Sequence, residues 1–127
     1  MKDIWQKTGL KTGLEKALTD TPRPRDRARP FTPQLADWVD DPLFSHVWER
    51  PGLSKRDRSL ITVAALVVLY RPEQLAAHLI RARENGVTKE ELSELISHLA
   101  FYGGFPAAIT ASAIAHEKLG ALDEKAK

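Results

Sequence analysis

The residue best placed to do chemistry is a histidine at the edge of an apolar stripe. Residues 72–85 show a helical pattern, and His78 lies about 60° around that helix axis from Leu75. Arg71 and Asn85 lie seven residues before and after His78, about two turns each way, so the three residues share nearly one line. This pattern predicts a titratable ring beside a polar line and an apolar wall.

Two interpretations of this imidazole remain open. A histidine at such an edge can be a packed residue with its hydrogen bonds satisfied. It can also be a proton donor and acceptor, because its ordinary pKa lies close to neutral pH. The spacing of His78 does not decide between the two.

Other candidate residues are scattered over several predicted elements. His98 and Tyr102 share a helix edge with Glu91, while His46 and Trp48 precede a predicted break. None has the spacing of a known metal site, so we expect no metal and no cofactor. Phosphate-binding glycine loops and the GxSxG nucleophile motif are also missing, which argues against nucleotide binding and serine hydrolase chemistry.

Composition predicts one compact globular domain. The chain has 127 residues, of which 43% are hydrophobic and 28% are charged, and it has no Cys. Disulfides and thiol chemistry are therefore excluded. With 19 Lys plus Arg against 17 Asp plus Glu, the net charge is only +2, so we expect no nucleic-acid partner.

No targeting or membrane segment is predicted. The first 20 residues lack the apolar run of about 7 to 15 residues that a secretory signal needs, so a cytoplasmic location is expected. The longest apolar stretch, Leu60 to Tyr70, is much shorter than the roughly 20 residues that span a bilayer. We expect it to be a core element, with no membrane partner.

A basic segment ends the first of the two predicted parts of the chain. Residues 21–30 hold three Pro and four Arg against one Asp, which predicts an extended connector. The alternative is an arm that reaches a neighbouring subunit or attracts an anionic ligand. We therefore expect an N-terminal helix and connector in residues 1–30 and a helical domain in residues 31–127.

Start and stop signals predict an all-α fold of about six helices with short connections. Thr88 and Glu91 form a capping-box pattern, as do Ser54 and Asp57. No segment alternates as a strand would. In chain order, the signals predict helices over residues 34–40, 43–50, 54–70, 72–86, 88–102 and 106–120.

Apolar stripes predict how these helices pack. Two consecutive helices carry strong stripes, and we expect them to form an antiparallel pair. The last helix is rich in Ala, which suits close packing or a subunit interface. Phe101 is off the stripe, so it is a candidate contact with another chain or part of a second buried face within the same chain. The stripe residues are Leu75, Leu79 and Ala82 on the first helix, then Leu92, Leu95, Ile96 and Leu99 on the second.

Four stretches together resemble the carboxymuconolactone decarboxylase family, most closely its γ-carboxymuconolactone decarboxylase branch. They are VWERPGLSKRDRSLITVAALVVL, HLIRARENG, VTKEELSELISHL and YGGFPAA, and the resemblance runs from about Val47 to Ala115. It implies an all-helical fold of the alkylhydroperoxidase D type. It also implies a homo-oligomer, a trimer or hexamer, in which the helix carrying His78 lines the active site.

The resemblance separates two chemistries. The peroxidase branch of the family uses two Cys and a Glu, where this chain has Arg71, Gln74 and Ser59, so thiol peroxidase activity is excluded. The decarboxylase branch shares six residues with this chain: Arg58, Ser59, Arg71, His78, His98 and Tyr102. The chain departs from that branch at His46, Tyr70, Gln74, Ala76 and Ile80, which bears on the identity of the substrate.

The resemblance implies a carboxy-lyase that needs no cofactor, because a conjugated lactone supplies its own electron sink. We hypothesise that Arg71 or Arg58 binds a carboxylate of the substrate and that His78 protonates the carbon left behind. The other candidate substrate-binding residues are Ser59, His46, Trp48, Gln74 and Tyr102. For Trp48, simple core packing is an alternative.

Three functions remain open at this stage. The first is decarboxylation of a carboxymuconolactone-like lactone acid in the degradation of aromatic compounds. The second is an isomerase, cyclase or decarboxylase acting on another small carboxylic acid, for example in secondary metabolism. The third is a non-catalytic oligomeric protein that binds carboxylates.

Overall fold

The computed structural model describes the backbone of residues 23–126 and the side chains of residues 23–120. The predicted N-terminal helix lies outside the described residues. Within them the secondary structure is helical and contains no strand, so the all-α prediction is confirmed. None of the helices described here is both long and apolar enough to cross a membrane.

The chain packs as two compact units, the first ending at Gly52 and the second beginning at Leu53. This division concerns packing, so the predicted boundary after residue 30 stays a prediction. The described part of the first unit contains three short helical segments: α1 (Pro24–Ala28), α2 (Pro33–Trp38) and α3 (Val39–Val47).

The basic segment forms a short helix, so the prediction of an extended connector is wrong for α1. Pro24 occupies the first turn, where its fixed φ suits a helix and its missing N–H costs nothing. Arg23 precedes the helix with extended backbone, and its Nε donates to Oδ2 of Asp26 at 3.0 Å. The prolines at the two ends thus limit the helix without preventing it.

The start of α2 follows the prediction, whereas α3 covers Val39–Val47 and not the predicted residues 43–50. α2 begins with Pro33, as expected, and the helical segment α3 bends at Asp41, where the backbone is extended (φ −148°, ψ 113°). The buried side chains of this unit include Ala36, Phe44 and Trp48, and the Phe44 and Trp48 rings lie 5.4 Å apart.

The second unit contains four longer helices: α4 (Lys55–Val68), α5 (Pro72–Glu84), α6 (Lys89–Gly103) and α7 (Phe105–Ala126). Their starts are well explained by capping. The Ser54 hydroxyl accepts from the Asp57 amide, and Thr88 and Glu91 form the complete reciprocal capping box. Gly86, with φ +99°, follows α5 in the left-handed region that glycine favours.

The prediction that Gly120 ends the last helix is wrong, because α7 continues to Ala126. A glycine inside a helix costs only about 1 kcal/mol relative to Ala. The residues that follow, ALDEKA, are mostly strong helix formers. Their propensity outweighs the local cost of the glycine.

The predicted antiparallel pairing of α5 with α6 is also wrong. Both helices pack mainly against α4 and α7, which lie between them, so the order around the unit is α4, α5, α7, α6. α7 presents the small buried residues Ala108 and Ala111, which let neighbouring helices approach closely. The two stripes therefore converge on a common core instead of facing each other.

Candidate functional site

His78 lies in the middle of α5, between the buried residues Leu75 and Leu79. Its ring is largely buried, and the Nδ1 atom has almost no contact with solvent. Burial lowers the pKa of His78 from 6.5 to about 4, and repulsion from the Arg81 guanidinium lowers it further in the same direction. At pH 7 the His78 ring of the free protein is therefore neutral.

This protonation state refines the hypothesis for His78. A neutral imidazole holds no spare proton, but it can donate one from one nitrogen while it accepts another at the second. His78 of the free protein is therefore suited to relay a proton or to accept one, and less suited to store one.

Arg71 lies at the start of α5, where it is the residue that precedes the first turn. Its Nη1 donates to the carbonyl oxygens of Leu69 at 2.9 Å and Tyr70 at 3.3 Å. The guanidinium thus satisfies carbonyls that end α4. Seven residues of helix separate Arg71 from His78 by about 10 Å along the axis.

Ser59 and Asn85 meet between α4 and α5. The Asn85 side-chain amide donates to the Ser59 hydroxyl at 2.9 Å, and Ser59 is completely buried. This bond fixes the end of α5 against the start of α4, near the partly buried Arg58. The sequence singled out both residues but not the hydrogen bond that joins them.

The remaining candidates of the second unit lie at its surface. Gln74, one turn before His78, is exposed. Tyr102 is 76% exposed, and its ring lies 5.1 Å from that of His98. The roles of Gln74 and Tyr102 in binding a substrate stay predictions.

His46 and Trp48 belong to the first unit. His46 is exposed, and its Nδ1 lies 3.1 Å from Oδ1 of Asp41 and 2.8 Å from Oγ of Ser45. Trp48 is buried and packs with Phe44, which is the core role considered above. A role for either residue in binding a substrate stays a prediction.

Two charged residues of α5 were not singled out from the sequence: Arg81, whose charge acts on His78, and Glu84, which interacts with Arg81. Arg81 lies one turn after His78, and Glu84 one turn after Arg81. Burial raises the pKa of Glu84 to about 7, although attraction by Arg81 opposes this shift. The spacing of three residues between charged and titratable groups could have identified both residues.

Two of the cavities in the described part of the second unit have linings that do not include His78. The larger is an open groove of about 630 Å³ between α4 and α6. Three carboxylates at its edge would repel an anionic substrate, so its chemistry differs from that expected of a carboxylate site. The groove is lined by Leu60, Ile61, Ala64, Leu95, Leu99, His98, Glu90, Glu91 and Glu94.

Within the described part of the chain, no three His, Cys, Asp or Glu residues are grouped closely enough to hold a metal ion.

Comparison with known proteins identifies the family. The model of the carboxymuconolactone decarboxylase family matches residues 33–117, which is well over half of the chain. A 4-carboxymuconolactone decarboxylase of Acinetobacter baylyi is 41% identical over 98 residues, which cover 75% of this chain and 73% of that protein. Nitrosuccinic acid decarboxylase of Metarhizium robertsii is 32% identical over 98 residues, covering 77% of this chain and 68% of that protein. The resemblance found in the sequence is thus confirmed, and the chain belongs to the carboxymuconolactone decarboxylase family.

Proposed function

We propose that this protein is a cofactor-independent decarboxylase of a small carboxylic acid, most specifically a carboxymuconolactone-like lactone acid formed in the degradation of aromatic compounds. The observation that carries this proposal is the largely buried, neutral His78 with a guanidinium one turn away on the same helix. Support comes from two relatives that are named as decarboxylases.

The protein contributes to the proposed reaction in three ways: substrate binding, exclusion of water and proton delivery. The bond between the carboxylate carbon and the ring breaks, carbon dioxide leaves, and the electron pair enters the conjugated lactone as an enolate. The protein binds the anionic substrate, excludes water around the departing carboxylate, and delivers one proton to the carbon. Apolar surroundings favour the loss of the carboxylate charge.

His78 is the residue that we assign to proton delivery. Because the free imidazole is neutral, the proton that it gives from one nitrogen is replaced at the other, and the enolate is basic enough to accept it. We expect kcat/KM to rise with pH up to about 5 and then to level off, because the proposed relay requires the neutral ring, which is the form that free His78 takes above its pKa of about 4.

Release of carbon dioxide from 4-carboxymuconolactone tests the proposed function directly. The purified protein is mixed with this compound, and both the gas and the loss of substrate absorbance are followed. Turnover at enzymatic rates, of the order of 1 per second or faster, supports the proposal. Binding without turnover would instead support a non-catalytic carboxylate-binding protein.

A second candidate substrate is a nitro-substituted dicarboxylic acid. The Metarhizium robertsii relative is named for nitrosuccinic acid and is 32% identical to this chain. Nitrosuccinate should therefore be assayed beside the lactone. A much larger kcat/KM for nitrosuccinate would favour the alternative of a decarboxylase for another small acid, and product formation without gas release would favour an isomerase or cyclase.

We also propose that the protein forms a homo-oligomer, a trimer or hexamer. Large apolar side chains are exposed where α6 ends and α7 begins, including Phe101 (78% exposed) and Ile109 (66%). The rings of Phe101 and Phe105 lie edge to face with centroids 5.3 Å apart. A contiguous apolar surface of this kind marks a protein interface, and a second copy of the chain is the proposed occupant.

A further inference from the structure

The proposed decarboxylase needs a cation that binds the substrate carboxylate, and α5 offers two arginines near His78. We infer that Arg81, and not the sequence candidate Arg71, is the residue that binds this carboxylate. The inference rests on the proposed function, since it assigns a role within that same site.

Helix geometry places Arg81 much closer to His78 than Arg71. Three residues separate His78 from Arg81, which corresponds to about 4.5 Å along the axis and 60° around it. Seven residues separate His78 from Arg71, which corresponds to about 10 Å along the axis. An anion held by Arg81 therefore lies within reach of the His78 ring, while one held by Arg71 lies two turns away.

The environments of the two guanidinium groups also favour Arg81 over Arg71 as the residue that binds the carboxylate. Arg71 is exposed. Arg81 is partly buried, and its charge acts on both His78 and Glu84. Interactions between charges are weaker in water than in a partly buried site, so a carboxylate gains more from Arg81.

The helices packed against α5 contribute little competing charge to this region. Among the side chains of α4 and α7 that the structure describes, the fully buried residues carry no titratable group, and Arg58, whose Nε is also buried, lies next in sequence to Ser59, which accepts a hydrogen bond from Asn85. Arg81 is thus the charged group that we assign to the surroundings of His78. The buried residues in question are Ser59, Val63 and Val67 of α4 and Ala108, Ala111 and Leu119 of α7.

Carboxylate binding at Arg81 has a chemical consequence for His78. The bound negative charge offsets the repulsion between Arg81 and a protonated imidazole, so the pKa of His78 rises in the complex. The bound substrate thereby stabilises the positive charge that develops on the ring while one nitrogen gains a proton and the other gives its proton to carbon. Anion binding and proton delivery are coupled through one side chain.

The test uses the full chain with Arg81→Gln, Arg81→Lys and the control Arg83→Gln. Arg83 lies on another face of α5, where its Nη1 donates to the Val87 carbonyl, so its replacement removes the same charge from the same helix. We expect Arg81→Gln to raise KM for 4-carboxymuconolactone by roughly 10- to 100-fold, because a charged hydrogen bond is lost. Arg81→Lys should recover part of the loss, and Arg83→Gln should leave KM unchanged.

A binding measurement separates this inference from the proposed function. The ring signals of His78 are followed by NMR while succinate, an unreactive dicarboxylate, is added. We expect succinate to raise the pKa of His78 in the wild type and in Arg83→Gln, but not in Arg81→Gln. This result supports the role of Arg81 even if the lactone is not decarboxylated.

Three results would overturn the inference. One is an unchanged KM and an unchanged succinate response in Arg81→Gln with a native melting temperature. Another is the loss of both properties in Arg71→Gln only. The third is a wild-type protein whose His78 signals respond to neither succinate nor the lactone. If Arg81→Gln does not fold, the same readouts are taken from the uncharged variant Arg81→Met, for which a raised KM and a lost succinate response support the inference and wild-type values of both contradict it.

Discussion

At the scale of single residues, α5 holds two titratable groups whose pKa values are shifted in opposite directions. His78 has a pKa lowered to about 4, and Glu84 has a pKa raised to about 7, in both cases mainly because of burial. Such pairs are typical of sites that exchange protons, although structural groups can show similar shifts. Here the two shifts also make the stability change with pH in opposite directions.

The pH dependence of unfolding should reveal both shifts. Between pH 4 and 6.5 unfolded His78 binds more protons than folded His78, so its contribution increases the free energy of unfolding as the pH rises. Between pH 4.5 and 7 the folded state holds the Glu84 proton more tightly, so that contribution decreases as the pH rises. The two contributions partly cancel in the wild type.

Single variants separate these contributions in urea denaturation at pH 4 to 7. Relative to the wild type, Glu84→Gln should gain stability as the pH rises above 4.5, and His78→Gln should lose stability from pH 4 to 6.5. The His78 contribution is about 3 kcal/mol over its whole window. Parallel pH curves for all three proteins would contradict the assigned pKa shifts.

At the scale of helices, glycines at two positions have opposite expected effects. A Cβ at Gly103 would lie 3.0 Å from Cγ2 of Val68 and 3.2 Å from its Cα, so α6 and α4 approach each other closely there. A Cβ at Gly120, inside α7, would meet no atom within 4 Å. Gly103 thus permits a contact between helices, while Gly120 contributes only backbone freedom.

The matched variants Gly103→Ala and Gly120→Ala test this contrast. Gly103→Ala should destabilise the protein by about 1 to 3 kcal/mol through overpacking. Gly120→Ala should stabilise it by about 0.5 to 1 kcal/mol through helix propensity. Thermal unfolding of both variants provides the measurement, and a stabilising Gly103→Ala would show that α4 and α6 are not in close contact there.

Capping signals made most helices of the second unit predictable. Thr88 and Glu91 fixed the start of α6, and Gly86 marked the end of α5, because these residues act on the backbone beside them. The helical form of α1 and the continuation of α7 past Gly120 depended on a balance of small local free energies, such as helix propensities and the costs of proline and glycine. The arrangement of α5 and α6 around α4 and α7 depended on packing over long sequence distances, which periodicity does not specify.

The candidate site was predictable to a smaller extent. His78 was found because its position at the edge of a stripe follows from helix geometry. The roles of Arg81 and Glu84 depend on burial, because burial determines how strongly these groups interact with neighbouring charges. Spacing in the sequence does not specify burial. The hydrogen bond between Asn85 and Ser59 joins residues 26 positions apart, so only the folded chain reveals it.

At the scale of the whole molecule, the exposed apolar surface at the α6 to α7 junction predicts self-association. Phe101→Glu should place a charge in that surface and shift the protein towards smaller species, because burying an unpaired carboxylate is costly. Sedimentation velocity measures this shift, with Gln34→Glu as a control at an exposed polar position of α2. An unchanged oligomer in Phe101→Glu, or a monomeric wild type, would contradict the proposed interface.

The most direct test of the proposed function is the rate of carbon dioxide release from 4-carboxymuconolactone by His78→Gln. Loss of the proton relay should lower kcat by about 10² to 10⁴ while the fold is retained. His116→Gln, at an exposed position of α7, should retain wild-type kcat. A His78→Gln enzyme that releases carbon dioxide as fast as the wild type would show that this imidazole does not take part in the reaction.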